Sequence, residues 1–266
     1  MTEFPPPPPP SNLIRERIPT ALGLGPGYLE RVTGPRGGLR YYTLPDSDRE
    51  MDSVTSIMEQ TINKPALQRW REALIRQGES PQKVSKKARD IGTRLHKTIE
   101  DDLNMDYPLD AKPWPDDLLP AMDAFYRWRD KENLDFVESE VSVFQEIIRD
   151  EMYVAGTLDA LFKVTSGAED GSLVICDFKT SSSKNVYPEA CLQIAAYTCA
   201  LYSMGCNDEI SGRVLSFTKD KETQAFTGAV QVAKIPADAL RGWAVAFDAC
   251  VTLWAAMNTD ITTSTL

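Results

Sequence analysis

The chain predicts an α/β fold: a central mixed β-sheet flanked by helices, preceded by a helical N-terminal portion. Two observations predict it. Between residues 53 and 133 the apolar residues recur at helical spacing, and prolines open several of the segments. From residue 136 onward the pattern switches to period two, and two long helical stretches interrupt the strands. The resulting order, helices and then β-β-β-α-β-β-α, is that of a sheet covered by helices on its faces. With 266 residues, 42% of them hydrophobic, the chain suffices for one large domain with a helical extension.

Residues 1–38 are low in complexity, with six consecutive prolines (Pro5 to Pro10) that favour polyproline II, and they read as a disordered or loosely packed Pro/Gly-rich tail. Residues 39–134 read as the helical N-terminal part. It opens with a short strand from Leu39 to Leu44 that a Pro45-Asp46-Ser47-Asp48 turn ends. Ser53 is an N-cap candidate for a helix to about Gln60, which resumes from Pro65 to Arg76. Pro81 opens a helix to about Leu103, and a further helix spans Leu119 to Asn133. Residues 135–266 form the predicted core. Strands are expected over Phe136 to Ile147, Tyr153 to Val164 and Leu173 to Phe178, then a helix from Ala190 to Met204. Strands from Ile210 to Phe217 and Ala229 to Ile235 precede a terminal helix from Ala237 to Met257.

The net charge of −10 argues against a broad nucleic-acid-binding surface, but charge is unevenly spread. Lys64 to Lys97 contains ten Lys or Arg against three acids, a local +7 that leaves −17 for the remainder. Such an island is either a solvated helical face or a surface that focuses a phosphate backbone. The five cysteines (Cys176, Cys191, Cys199, Cys206, Cys250) form no C-x-x-C pair, which fits reduced, mostly buried thiols in a cytoplasm-like compartment. No apolar run approaches the ~18 residues of a membrane span, and the N-terminus lacks a secretory pattern. The arginines between Arg15 and Arg40 leave a mitochondrial transit segment as the weaker alternative to a bacterial or phage-infected cytoplasm.

Asp159 sits mid-strand three residues after Gly156, and Asp177 interrupts the apolar run Leu173 to Phe178. Buried carboxylates are costly unless something pairs with them. Lys179 leaves the same strand face as Asp177, and the turn between Lys163 and Gly171 sets Asp159 beside Asp177. A single pair of this kind is an ordinary ion pair. Two acids and a lysine at strand ends suit Mg²⁺ or Mn²⁺ on a phosphate, with a water activated beside it. His96, the only histidine, lies on the basic helix one turn from Glu100, which could hold its ring. Glu138 and Glu140 share one face of their strand, opposite Val137, Val141 and Val143, and either is a candidate third acid. Gln193 and Tyr197 share a helix face, where Tyr197 also reads as plain packing.

Together these motifs resemble the PD-(D/E)XK nuclease superfamily in its RecB-like branch. The resemblance is carried by Glu138, by Gly156 to Asp159 as G-x-x-D, by Asp177 to Lys179 as D-x-K, by Gln193 to Tyr197 as Q-x-x-x-Y, and by His96 upstream. The segment Asp52 to Ile57, with Leu67 to Trp70, is similar to mitochondrial genome maintenance exonucleases and their phage-encoded counterparts, which often carry proline at the position of Asp52. The resemblance implies a restriction-endonuclease-like core. It implies Mg²⁺ or Mn²⁺ held by His96, Asp159, Asp177 and the Phe178 carbonyl, with Lys179 positioning water. Glu138 binds metal-coordinated water or a second ion, and Gln193 and Tyr197 orient the lysine or contact the strand. It implies a DNA exonuclease that prefers single strands with a free end, in recombination, repair or degradation. With no early cysteine, no iron–sulfur cluster is expected. The rival expectations are a catalytically inactive DNA-binding module, a structure-specific endonuclease, and a scaffold that uses the proline tract.

Overall fold

The computed structural model describes residues 29–33, 39–43, 50–104, 114–147, 152–182 and 187–259. The proline tract lies outside them. Strands β1 (Glu30–Thr33), β2 (Arg40–Thr43) and β3 (Glu50–Ser53) lead into helices α1 (Val54–Thr61), α2 (Pro65–Arg76), α3 (Pro81–Leu103) and α4 (Leu119–Glu132). Then follow β4 (Leu134–Ile147), β5 (Met152–Val164), β6 (Leu173–Ser181), α5 (Pro188–Ser203), β7 (Ile210–Lys219), β8 (Phe226–Ile235) and α6 (Ala237–Met257). The fold is the mixed, helix-flanked sheet that the periodicities predict.

The helix boundaries have local causes. Prolines sit in the first turns of α2, α3, α4 and α5, where the missing N–H costs nothing. Ser80 caps α3 through its hydroxyl, which accepts from the Lys83 N–H at 3.4 Å. Asn133 ends α4 in the left-handed region (φ 50°), a conformation asparagine tolerates.

The sheet has eight strands in the order β1-β2-β3-β5-β6-β7-β8, with β4 on the other edge of β5. The N-terminal part is therefore not purely helical, since three of its strands extend the core sheet. One of them, β1, falls inside the segment that reads as a tail. The pairing along β5 is divided. Its first half pairs in parallel with β3 (Val154 and Ala155), and its second half pairs antiparallel with β6 (Ala160 to Lys163). Residues 156–159 lie between these two ladders.

Helices α3 and α4 cover one face through Leu95, Ile99, Met122, Phe125 and Trp128, packed on Phe162, Phe178 and Phe217. Helices α1, α5 and α6 cover the other. Asp52 departs from the proline of similar sequences, and the structure gives it a partner: Trp254 Nε1 donates to Asp52 Oδ2 at 3.0 Å, tying α6 to β3. Arg213, only 4% exposed in the middle of β7, is held by Glu169 at 2.8 Å and Glu132 at 3.6 Å. Among the described residues no helix is long and apolar enough to cross a membrane.

Helix α5 approaches β7 most closely at Gly212, where a Cβ would lie 2.8 Å from Ile194 Cγ2. Gly212→Ala should therefore cost roughly 1–3 kcal/mol of stability in urea unfolding, as overpacked cores do. A neutral effect would show that α5 can shift freely on the sheet.

Candidate active site

The site starts where β5 and β6 stop pairing. Their ladder runs from Lys163↔Leu173 to Ala160↔Cys176 and ends there. The next residues on each strand are Asp159 and Asp177. Instead of a backbone acceptor, the Phe178 N–H finds the Asp159 carboxylate and donates to Oδ2 at 2.6 Å. That bond turns Asp159 inward, towards α3. His96 Nδ1 lies 3.4 Å from Asp159 Oδ1, and its ring stands edge-on to Phe178 with centroids 5.9 Å apart. Glu100 does not hold that ring, because its carboxylate is 3.3 Å from Lys97 Nζ.

Asp177 is almost wholly buried, with a side chain 3% exposed. Lys179 Nζ donates to Asp177 Oδ1 at 2.7 Å and to Gln193 Oε1 at 3.2 Å. Gln193 Nε2 in turn donates to the Tyr197 hydroxyl at 3.1 Å. Seven predicted site residues thus form two connected groups: His96, Asp159 and Phe178, and then Asp177, Lys179, Gln193 with Tyr197. The packing role of Tyr197 is also real. A Cβ on Gly156 would sit 2.4 Å from its ring, so only glycine there admits the tyrosine.

Glu138 and Glu140 depart from the expected alternation. The register of β4 on β5 slips between Phe136 and Glu138, which sets Glu138 opposite Leu161. Glu140 has φ 49° and lies between the pairs Ser139↔Ala160 and Val141↔Leu158, level with Asp159. Left-handed backbone costs a glutamate roughly 1–2 kcal/mol. The two acids therefore do not sit on one regular strand face. The Glu138 carboxylate accepts locally, from the Ser139 N–H at 3.2 Å, and no bond joins it to the two groups above.

Sequence reasoning missed Tyr42. It is 2% exposed on β2, its hydroxyl is 3.2 Å from Thr157 Oγ1, and it adjoins Tyr197. Nothing in a short tyrosine-containing strand marks a residue that reaches a site more than a hundred positions away.

The electrostatics separate the two acids. Burial pushes Asp159 up, but the charge and hydrogen bond of His96, with Lys179 and the Phe178 N–H, hold it below the usual carboxylate range. Burial dominates at Asp177. Lys179 opposes it and Asp159 adds to it, and the carboxyl rises to about 6. Burial pushes His96 down, and the Asp159 carboxylate outweighs this and raises it. Burial pushes Lys179 down as well, yet Asp177 and Asp159 raise it on balance, so it stays an ammonium at neutral pH.

Among the described residues, no three His, Cys, Asp or Glu side chains converge at metal-ligand spacing. The site nevertheless fits a cation. Asp177 Oδ2 is buried and has no hydrogen-bond partner, and an acceptor in that position costs free energy unless a cation or proton meets it. Two carboxylates and one imidazole are a donor set that could hold a hard divalent ion, and a single histidine with oxygen donors favours Mg²⁺ or Mn²⁺ over zinc.

Two predictions follow from this geometry. Gly156→Ala should cost roughly 1–3 kcal/mol, and that penalty should nearly vanish in a Tyr197→Ala background, as a double-mutant cycle measures. Additive penalties would refute the close contact. In chelator, between the ordinary Asp177 value of 3.8 and about 6, the unfolded chain has released a proton that the native state keeps. Stability therefore falls as pH rises through that window. His96, raised in the fold, adds stability below its ordinary value of 6.5 and loses it as pH rises through the native value. Asp177→Asn should accordingly gain melting temperature relative to wild type from about pH 4 to about pH 7. Mn²⁺ should stabilise wild type and not the variant. A constant difference between the two proteins would show that Asp177 is not held against ionisation.

No curated protein matches the chain significantly. A sequence model of the PD-(D/E)XK nuclease superfamily does match, over residues 65–265, which takes in α2 to α6 and every residue of the two hydrogen-bonded groups. On the strength of that match the chain belongs to the PD-(D/E)XK nuclease superfamily, whose members are metal-dependent nucleases.

Proposed function

We propose that the protein is a Mg²⁺- or Mn²⁺-dependent DNA exonuclease, acting on single-stranded DNA with a free end in recombination, repair or degradation. The observation that carries the reading is the unpartnered, buried Asp177 Oδ2 beside Asp159, with Lys179 bonded to the same carboxylate. A divalent ion at His96, Asp159, Asp177 and the Phe178 carbonyl would supply Lewis acidity to the scissile phosphate.

This chain's own residues would do the rest. Lys179, an ammonium at neutral pH, would orient the attacking water as a hydrogen-bond donor and offset the charge gained by the phosphate oxygens. Gln193 and Tyr197 would keep Lys179 aimed, since their bonds run in series to its Nζ. Burial of Asp177 and the apolar ring of Phe178 would lower the local dielectric and strengthen these interactions. Glu138 would act on water at the metal from β4.

The preference for single strands finds support in α2. It has no buried residue and leaves Leu67 and Trp70 about one-third exposed. An exposed tryptophan among arginines suits stacking of unpaired bases.

Purified protein with end-labelled single strands and Mg²⁺ or Mn²⁺ should release short products from an end, and duplex of the same sequence should be cut more slowly. Lys179→Ala should lose roughly 10²–10³ in rate, the usual worth of a transition-state donor. Equal rates in wild type and Lys179→Ala would sink the mechanism, and internal cleavage of circular single strands would sink the exonuclease assignment.

A further inference from the structure

Helix α3 carries a groove of about 540 Å³ along its first half. Lys83, Lys86, Lys87 and Arg94 line it, against the acids Asp90 and Asp117. Lys83, Lys87 and Arg94 stand at i, i+4 and i+11, which is one line along the helix, and Lys86 flanks it. The ammonium groups of Lys83, Lys86 and Lys87 have no carboxylate partner among the described residues. Arg94 is the exception. Its guanidinium donates two parallel bonds to Asp117, from Nη1 to Oδ2 at 2.9 Å and from Nη2 to Oδ1 at 2.8 Å.

Two features make that pair a weak clasp and a good anion site. Both side chains are about half exposed (48% and 57%), and exposed ion pairs add little to stability. The buried Arg213, with its two glutamates inside the fold, is the contrasting case. The fork-on-fork geometry is also the one in which a guanidinium takes a phosphate, so the Asp117 oxygens stand where two phosphate oxygens would. The groove adjoins the candidate active site. Gly92 lies between Asp90 and Arg94 on α3, and a Cβ on it would meet Thr180 Oγ1 at 3.5 Å. Thr180 follows Lys179 on β6, and His96 lies two residues past Arg94, about 3 Å further along the helix axis.

We propose that the groove seats backbone phosphates of the substrate strand beyond the one that is cleaved, and that Asp117 fills the phosphate position on Arg94 until the strand displaces it. The inference rests on the nuclease reading. Lys83 and Arg94 are about 16 Å apart along the helix, so a single phosphate reaches one end of the row and a chain of phosphates reaches both. The three unpaired ammonium groups supply the attraction. Little stability opposes the exchange, because both partners already face water and the Asp117 carboxylate is released into it.

The test is binding of a fluorescein-labelled single-stranded oligonucleotide in EDTA as a function of KCl, for wild type, Lys87→Gln, Asp117→Asn, Arg94→Gln and the Arg94→Gln/Asp117→Asn double variant. Lys87→Gln should weaken binding roughly three- to tenfold at low salt, the worth of one charge-assisted contact. It should also flatten the log–log salt dependence by about 0.7, as expected for one lost phosphate contact on a single strand. Asp117→Asn should tighten binding about two- to fivefold, the worth of an exposed ion pair that no longer has to be broken. That gain should vanish in the Arg94→Gln background. A gain of equal size there would mean that Asp117 only repels the strand, and would overturn the displacement. A lowered melting temperature in Asp117→Asn with unchanged affinity would make the pair a structural clasp and overturn the proposal. So would heat protection of wild type by inorganic phosphate, lost in Lys87→Gln, with oligonucleotide binding unaffected. If wild type cleaves DNA and every variant binds as wild type does, the groove is refuted and the nuclease reading stands. If wild type neither binds nor cleaves any polynucleotide, both fall.

Discussion

The hydrogen bond from the Phe178 N–H to the Asp159 carboxylate is the contact on which the candidate site depends. In an unbroken antiparallel ladder that N–H would face a backbone carbonyl. Here the β5–β6 ladder ends at Ala160↔Cys176, and the β3–β5 ladder does not begin until Ala155. The four residues between are unpaired on that edge. Into this gap come the Tyr197 ring against Gly156, the Tyr42 hydroxyl beside Thr157, and His96 beside Asp159. The N-terminal strands therefore help to define the site, because β3 bounds the gap on one side. Glu140 marks the same place from β4, where its left-handed backbone breaks regular alternation level with Asp159.

Charge is handled differently along the sheet. In its middle, Arg213 is paired with two glutamates and serves the fold, although its Nε makes no hydrogen bond. Beside the gap on β6, an acidic acceptor goes unmet. Asp177 keeps one buried oxygen without a donor. An unmet buried acceptor lowers the stability of the free protein and is complementary to a cation. Unrelieved electrostatic cost of this kind clusters where a ligand completes the structure.

Much of this was legible in the sequence, for a physical reason. Helices α2 and α3 begin at Pro65 and Pro81, whose backbone chemistry punctuates helices, and period-two alternation located β4 and β5. Asp177 and Lys179 could be paired because side chains two apart on a strand share a face, and the structure joins them. The pairing of β3 with β5 was not legible, because parallel register between distant segments leaves no local pattern. For the same reason the sequence of β1 reads as tail and that of β2 gives no sign of Tyr42 reaching the site. The shared face assigned to Glu138 and Glu140 failed because a register slip and a left-handed residue are invisible to a strict period of two.

The claim on which this account turns is that His96 and the two strand acids surround one cation, and the chain offers a direct way to test it because it contains a single histidine. Protein grown with ¹⁵N-histidine and loaded with Mn²⁺ can be measured by pulsed electron paramagnetic resonance, where any directly bound imidazole nitrogen must come from His96. The account predicts one ¹⁵N hyperfine coupling, which disappears when Asp159 or Asp177 is changed to asparagine. A Mn²⁺ signal without nitrogen coupling, or a coupling that survives loss of both carboxylates, would contradict it.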